Sequence, residues 1–185
     1  SFSPTEDTIA AIATAVSPGQ GSIAVIRISG SSAIEITKTI VHIPGKQDWS
    51  SHKVLYGHVT EANQTIYIDE VLILIMKGPR SFTGEDVVEI QCHGGIIAVQ
   101  KILERILNTP KVRRAEPGEF SQRAVLNGRL SLTQAESISE LVSARSRKAA
   151  ELAISGIEGN IQTTIQLIRK RLIEQLTEIE ARIDF

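Results

Sequence analysis

Cysteine occurs once in the 185 residues, so no disulfide can close within the chain, and this usage fits a reducing compartment. An excess of either charge is lacking too. Twenty basic against 21 acidic side chains leave a net charge of −1, which argues against nucleic acid as a whole-surface partner and confines any RNA contact to local patches. No apolar run approaches the roughly 20 residues that a bilayer requires, the most apolar window being "VLILIM" at 71–76. The leading "SFSPTEDTIAAIATAV" is acidic at its start and has no basic n-region, so it is a poor signal peptide and the chain reads as cytoplasmic. No G-x-x-x-x-G-K-S/T run occurs, and "SPGQGSIAV" precedes a strand where a nucleotide fingerprint would follow one. Zinc spacings such as C-x-x-C or H-x-x-x-H are missing as well.

What is present is an ordinary globular composition, 42% apolar and 22% charged, arranged in two textures. The first mixes strands with helices. "TIAAIAT" (8–14) and "SIAVIRIS" (22–29) are short, β-branched and apolar, with turn chemistry in "SPGQG" between them. "SGSSAIEITKTI" reads as a helix opened by a Ser cap. "VLYGHVT" and "TIYIDEVLILIM" read as strands around the loop "EANQ", and "KGPRSFTGED" is a loop before the strand "DVVEIQCH". After Gly94-Gly95, the apolar residues Ile96, Val99, Ile102, Leu103, Ile106 and Leu107 recur at helical spacing.

The second texture is helical. "PGEFSQRAVLNG" predicts a short helix stopped at Asn127-Gly128, and the long helix after it carries the capping-box pair Thr133 and Glu136. Ile161, Ile165, Ile168, Leu172, Leu176, Ile179 and Ile183 then form one stripe close to a coiled-coil seam. The stripe is still running at "EARIDF", so either a longer parent protein or partner helices are expected. The division read from this is a mixed domain over 1–116 and a helical segment over 117–185.

Cys92 beside His93 raises the question of a thiol catalyst. Strand alternation answers it: Val88, Ile90 and Cys92 share one face, while Val87, Glu89, Gln91 and His93 share the other. The two cannot work as a pair, and Cys92 reads as a small core residue. Glu89 is either solvated on an open sheet face or turned to a polar ligand. In the second case, its two acceptor oxygens suit a ligand edge with two adjacent N–H donors, such as an amidine, guanidine or pterin. Gly84 supplies the loop's turn, and Glu85-Asp86 reads as a solvated loop end. No residue is assigned a catalytic or metal-binding role.

Arginines supply the remaining candidates. Arg27 ends the apolar run "SIAVI" inside a strand, as a surface residue or as a partner for a ligand or acid. Arg123, within the short helix, reads as solvated. Arg129 follows a helix-ending Gly, where a cation can point back at a pocket. The glycines of "HGGIIAVQ" read as a tight strand-to-helix turn, ahead of a ligand-holding set of amides. The basic triplets Lys111/Arg113/Arg114, Arg145/Arg147/Lys148 and Arg169/Lys170/Arg171 read as solvated faces rather than an RNA surface.

"GSIAVIRISG", "GPRSFTGEDVVEIQCHGG", "EPGEFSQRAVLNGRLSLTQAESISELVSAR" and "EARIDF" together resemble the N-terminal part of the MnmE (TrmE) tRNA-modification GTPases, in order and spacing, from about residue 7 onward. The resemblance implies an α+β fold: a mixed-sheet, dimer-forming tetrahydrofolate-binding domain, similar to that of the aminomethyltransferases, followed by long α-helices. It implies a homodimer that binds a one-carbon tetrahydrofolate (5-formyl- or methylene-tetrahydrofolate). It also implies a parent enzyme that, with an MnmG/GidA-type flavoprotein, modifies carbon 5 of the wobble uridine of tRNA. GTP, Mg and K would belong to a GTPase domain outside these 185 residues. Three positions match the family's folate contacts, namely Arg27, Glu89 and Arg129. The chain departs from the family pattern in "SPGQG", where Gln20 replaces a loop Arg, in "LSL" at 130–132, and at Cys92, where Gly is usual. A scaffold that only dimerises and a stand-alone aminomethyltransferase-like protein are the other expectations.

Overall fold

Period-two alternation over several short runs builds one sheet, and helical periodicity covers one of its faces. The computed structural model describes residues 7–14, 23–63, 65–138, 140, 144, 147–148, 167–175 and 177. Its first compact unit is Ser1–Ala135. The strands are β1 (Thr8–Ile12), β2 (Ala24–Ser29), β3 (Val41–His42), β4 (Lys53–Thr60), β5 (Tyr67–Met76), β6 (Val87–Cys92) and β7 (Val112–Arg114). They line up as β3-β4-β5-β6-β2-β1-β7. Among the described residues only β1 and β7 pair parallel, so the sheet is mixed, as the α+β expectation requires. The helices are α1 (Ala33–Ile40), α2 (Gly95–Leu107) and α3 (Glu119–Leu126).

The core lies between the sheet and the α1/α2 layer. Ile26 and Ile28 of β2, Ile73 and Ile75 of β5, and Val88, Ile90 and Cys92 of β6 point into it. Ile36 and Ile40 of α1 and Val99, Ile102, Leu103 and Ile106 of α2 meet them there. Each fully buried Ile contributes about 1.5–3 kcal/mol from apolar area removed from water. The next residues along each strand necessarily face away from this layer. On that opposite face, register places Arg27 of β2 opposite Glu89 of β6, and Glu89 opposite Leu74 of β5. Leu74 in turn pairs with Val54 of β4, which is exposed, as is Tyr56 two residues on.

Local signals differ from expectation at a few points. Two short strands, β3 and β7, were not expected, because two and three residues show no alternation to read. Ser32 stands at the N-cap of α1 but its hydroxyl makes no capping bond; its N–H donates instead to Thr8 Oγ1 at 3.0 Å. The expected capping box shifts by two residues. Ser131 Oγ accepts the N–H of Gln134 at 3.1 Å while Gln134 Oε1 accepts the N–H of Ser131 at 2.9 Å. S-x-x-Q satisfies the box as well as T-x-x-E does, and helix begins at 132, which puts Thr133 inside the first turn. Asn127 and Gly128 (φ +71°) stop α3 as expected.

The second compact unit is Glu136–Phe185, in which 167–175 is helical and Ile168 and Leu172 are exposed. The stripe positions Ile161, Ile165, Leu176, Ile179 and Ile183, the terminal "EARIDF", the "SPGQG" loop with Gln20, and Arg145 lie outside the described residues. Among the described residues, no helix is long and apolar enough to cross a membrane.

Cys92 settles into the core with 1% exposure, and burial, aided by the charge of Asp69, pushes its thiol up to about 12. A thiol so placed holds almost no thiolate near neutral pH. Because it is the single cysteine, a thiol reagent at about pH 8 should label the native chain at least about 10³-fold more slowly than the chain in concentrated guanidinium chloride. Rapid stoichiometric labelling of the native protein would contradict the core assignment.

Candidate ligand site

One end of the face opposite α1 and α2 is roofed by the loop 77–86 and by α3. The loop holds its shape through its own polar groups. Gly84 takes φ +81°, and a Cβ there would stand 2.9 Å from the Asn127 Cβ, so the turn needs glycine on both counts. Asp86 Oδ1 accepts the N–H of Gly78 at 2.9 Å, and Ser81 Oγ donates to the Glu85 carbonyl. The end of α3 then grips the loop: Asn127 Nδ2 donates to the Thr83 carbonyl at 2.9 Å, and Arg129 Nε to the Ser81 carbonyl at 2.8 Å.

Beneath the loop lies an ion pair built by register. Arg27 Nε and Nη2 both reach Glu89 Oε1 at 3.0 Å, leaving both side chains about one-fifth exposed. The guanidinium also lies against two rings, 4.7 Å from the centroid of Phe82 and 5.4 Å from that of Phe120. Cation–π attraction fixes the plane of the guanidinium, and the guanidinium fixes one oxygen of the carboxylate. Both contacts use Oε1, so Oε2 keeps its lone pairs for a further donor.

A second ionic cluster anchors the roof. Arg123 is 3% exposed, which overturns its reading as solvated. Its Nη1 donates to the Asp7 carbonyl at 2.9 Å and to both Glu85 oxygens at 3.1 and 3.2 Å. Its Nη2 donates to Asp7 Oδ1 at 3.1 Å and Glu119 Oε1 at 3.2 Å. Arg113 of β7 closes the cluster through Asp7 and both oxygens of Glu119. Glu85 is therefore no solvated loop end either. It also accepts the Ser29 hydroxyl at 2.7 Å, and since Ser29 spends its one proton there, the Thr83 hydroxyl donates to Ser29, 2.7 Å away. Removing a carboxylate and a guanidinium from water demands such mutual pairing.

The three predicted site residues thus divide. Arg27 and Glu89 come together, and Arg129 is exposed and joins the loop at Ser81, next to Phe82. The amides of the His93-Gly94 turn hold a carboxylate, but it is the chain's own: Asp69 Oδ2 accepts the N–H of His93 at 2.7 Å and of Gly94 at 2.8 Å. Sequence reasoning passed over Phe82, Phe120, Glu85, Arg123 and Asn127. The one available signal was the Glu119/Arg123 spacing of four on a predicted helix, which pairs opposite charges on one side.

The hydrogen bond from Arg113, followed by the Glu116 backbone and the other contacts, holds the Glu119 carboxyl down to about 2, from an ordinary 4.5. A carboxyl depressed on folding contributes stability that is complete above its unfolded value and lost as pH falls through its folded value. Glu119→Gln should therefore lower stability at neutral pH by an amount on the order of 3 kcal/mol. The gap between variant and wild type should shrink as pH falls from about 4.5 to about 2 in thermal melts. A gap that stays constant over that range would remove Glu119 from the acid sensitivity.

Residues 8–129 match the family model described as GTP-binding protein TrmE N-terminus, and residues 132–185 match that of the MnmE helical domain. A Prochlorococcus marinus (strain NATL1A) protein named tRNA modification GTPase MnmE is 89% identical over 185 residues, covering 100% of this chain and 40% of that protein. Its namesake in Synechococcus sp. (strain CC9605) is 65% identical over 182 residues, 98% of this chain and 40% of that one. The Parasynechococcus marenigrum (strain WH8102) protein of the same name is 64% identical over 179 residues, with 97% and 40% covered. The chain spans about two-fifths of the length of these curated relatives.

Proposed function

Since the chain belongs to the TrmE N-terminus family and continues into an MnmE helical domain, we propose that its mixed-sheet domain binds a one-carbon tetrahydrofolate on the face opposite α1 and α2. The observation that carries this reading is the Glu89 carboxylate. It is held at Oε1 by Arg27, open at Oε2, and bordered by the rings of Phe82 and Phe120. A pterin presents two adjacent donors, N3–H and the 2-amino group, to an acceptor-only carboxylate, and its flat ring suits an aromatic border. These side chains fit the group chemically. Arg27 Nη1, free of the bonds to Glu89, serves a ligand oxygen, and the exposed Arg129 serves the acidic tail of the folate. The folate supplies the one-carbon unit when bound; the chain's own residues bind and orient it.

The same reading makes this chain the folate-binding part of a tRNA-modification GTPase. The parent enzyme acts at carbon 5 of the wobble uridine with a flavoprotein partner, and GTP, Mg and K serve a domain beyond these residues. The mixed domain forms a homodimer, and the helical segment carries the rest of the protein. Support for dimerisation is the apolar part of the same sheet face, where Val54 and Tyr56 are exposed on β4 beside Leu72 and Leu74 of β5. An exposed apolar sheet face is a surface that association covers.

Titration calorimetry with 5-formyl-tetrahydrofolate tests the site. Wild type should bind, and Glu89→Ala should weaken binding about tenfold or more, because a buried pair of donors on the ligand then loses its acceptor. Equal affinity would sink Glu89 as the pterin anchor. Sedimentation of the same samples should give a dimer; a dimer that binds no folate would favour a scaffold role.

A further inference from the structure

We infer that Arg123 is a positioning residue for the Glu89 site, acting through Phe82, Phe120 and Arg27 without touching the ligand. The inference rests on the folate reading for its ligand and on geometry for its mechanism. Arg123 bonds to three segments: Asp7 just before β1, Glu85 in the loop 77–86, and Glu119 on its own helix. The loop carries Phe82. Helix α3 carries Phe120, one turn before Arg123. Those two rings are the ones against which the Arg27 guanidinium lies, and that guanidinium holds Glu89 Oε1. One buried cation therefore sets the separation of two aromatic rings that belong to different elements.

The arrangement has a feature that plain stability does not require. Arg123 Nε is buried with no partner, although Nη1 and Nη2 are fully used. An apolar residue would fill this position without leaving a donor unsatisfied. What the guanidinium adds is a rigid fork that reaches Asp7 and Glu85 at once, which an ammonium does not reproduce. A site whose supporting residues loosen by about 1 Å loses much of its effect.

The test uses the full chain with Arg123→Lys, which keeps the charge and loses the fork. The first readout needs no ligand. It is the NMR resonance of the Arg27 side-chain Hε, assigned through Arg27→Lys, shifted by the two rings and protected by Glu89. In Arg123→Lys this resonance should move toward its free position and exchange faster with solvent while the sheet amides keep their shifts. The second readout is affinity for 5-formyl-tetrahydrofolate, expected to fall about tenfold. In a Glu89→Gln background the same substitution should cause little further loss, since the two act on one contact. An unchanged Arg27 Hε together with losses that simply add would overturn the inference and leave Arg123 a stabilising residue only. If Arg123→Lys does not fold, Glu85→Gln weakens the loop arm while Asp7 and Glu119 stay on Arg123, and decides by the same two readouts. Absence of folate binding in wild type would fail the proposed function, and the ligand-free resonance would still decide the positioning role.

Discussion

A guanidinium taken out of water must be surrounded by acceptors, and that requirement organises this domain around Arg123. Its side chain is buried among Asp7, Glu85 and Glu119, and Arg113 shares two of the three acids. Three carboxylates against two guanidiniums leave one negative charge, shared within a cluster whose members hydrogen-bond to one another. Its members come from the residue before β1, from the loop 77–86, from β7 and from α3, so satisfying the charge also docks α3 and the loop 77–86 on the sheet. The roof of the candidate site is a consequence of that docking.

The sheet supplies the floor by a simpler route. With α1 and α2 on one face, period-two alternation sends every second residue of β2 and β6 to the other. Ile26, Ile28, Val88 and Ile90 go into the core, and Arg27 and Glu89 are left opposite each other across β2 and β6. The pairing of a cation with an anion at one register position favours that register over a slip by one residue, which would also turn one of the two charges into the core. Stability and site geometry here share a cause. The same alternation separates Cys92 from His93: the thiol is a core filler, and the histidine ring turns outward to the Glu70 carbonyl.

Two parts of the sequence that looked alike turned out differently. Glu85 and Glu89 are both acids near a strand start, yet Glu85 is consumed by Arg123 and Ser29 whereas Glu89 keeps one oxygen uncommitted. The Gly-Gly turn before α2 has the amides of an anion site, and Asp69 from β5 fills it. In both cases the deciding partner is distant in sequence, and local pattern carries no information about it.

By itself, the sequence determined what depends on near neighbours. The longer strands, α1, α2 and α3, the stop at Asn127-Gly128, the opposed faces of Cys92 and His93, and the placement of Glu89 on the face away from Cys92 all follow from periods of two and 3.6 residues and from turn chemistry. Family resemblance implied one shared ligand for Arg27, Glu89 and Arg129, each already singled out from its own surroundings in the sequence. Tertiary structure alone decided which charges meet. Arg27 reaches Glu89 across 62 residues, Glu85 reaches Arg123 across 38, and Asp7 reaches Arg123 across 116. Coulomb attraction and desolvation act on distance in space, and a charge read as solvated from its own helix becomes buried once β1 and the loop 77–86 fold against it.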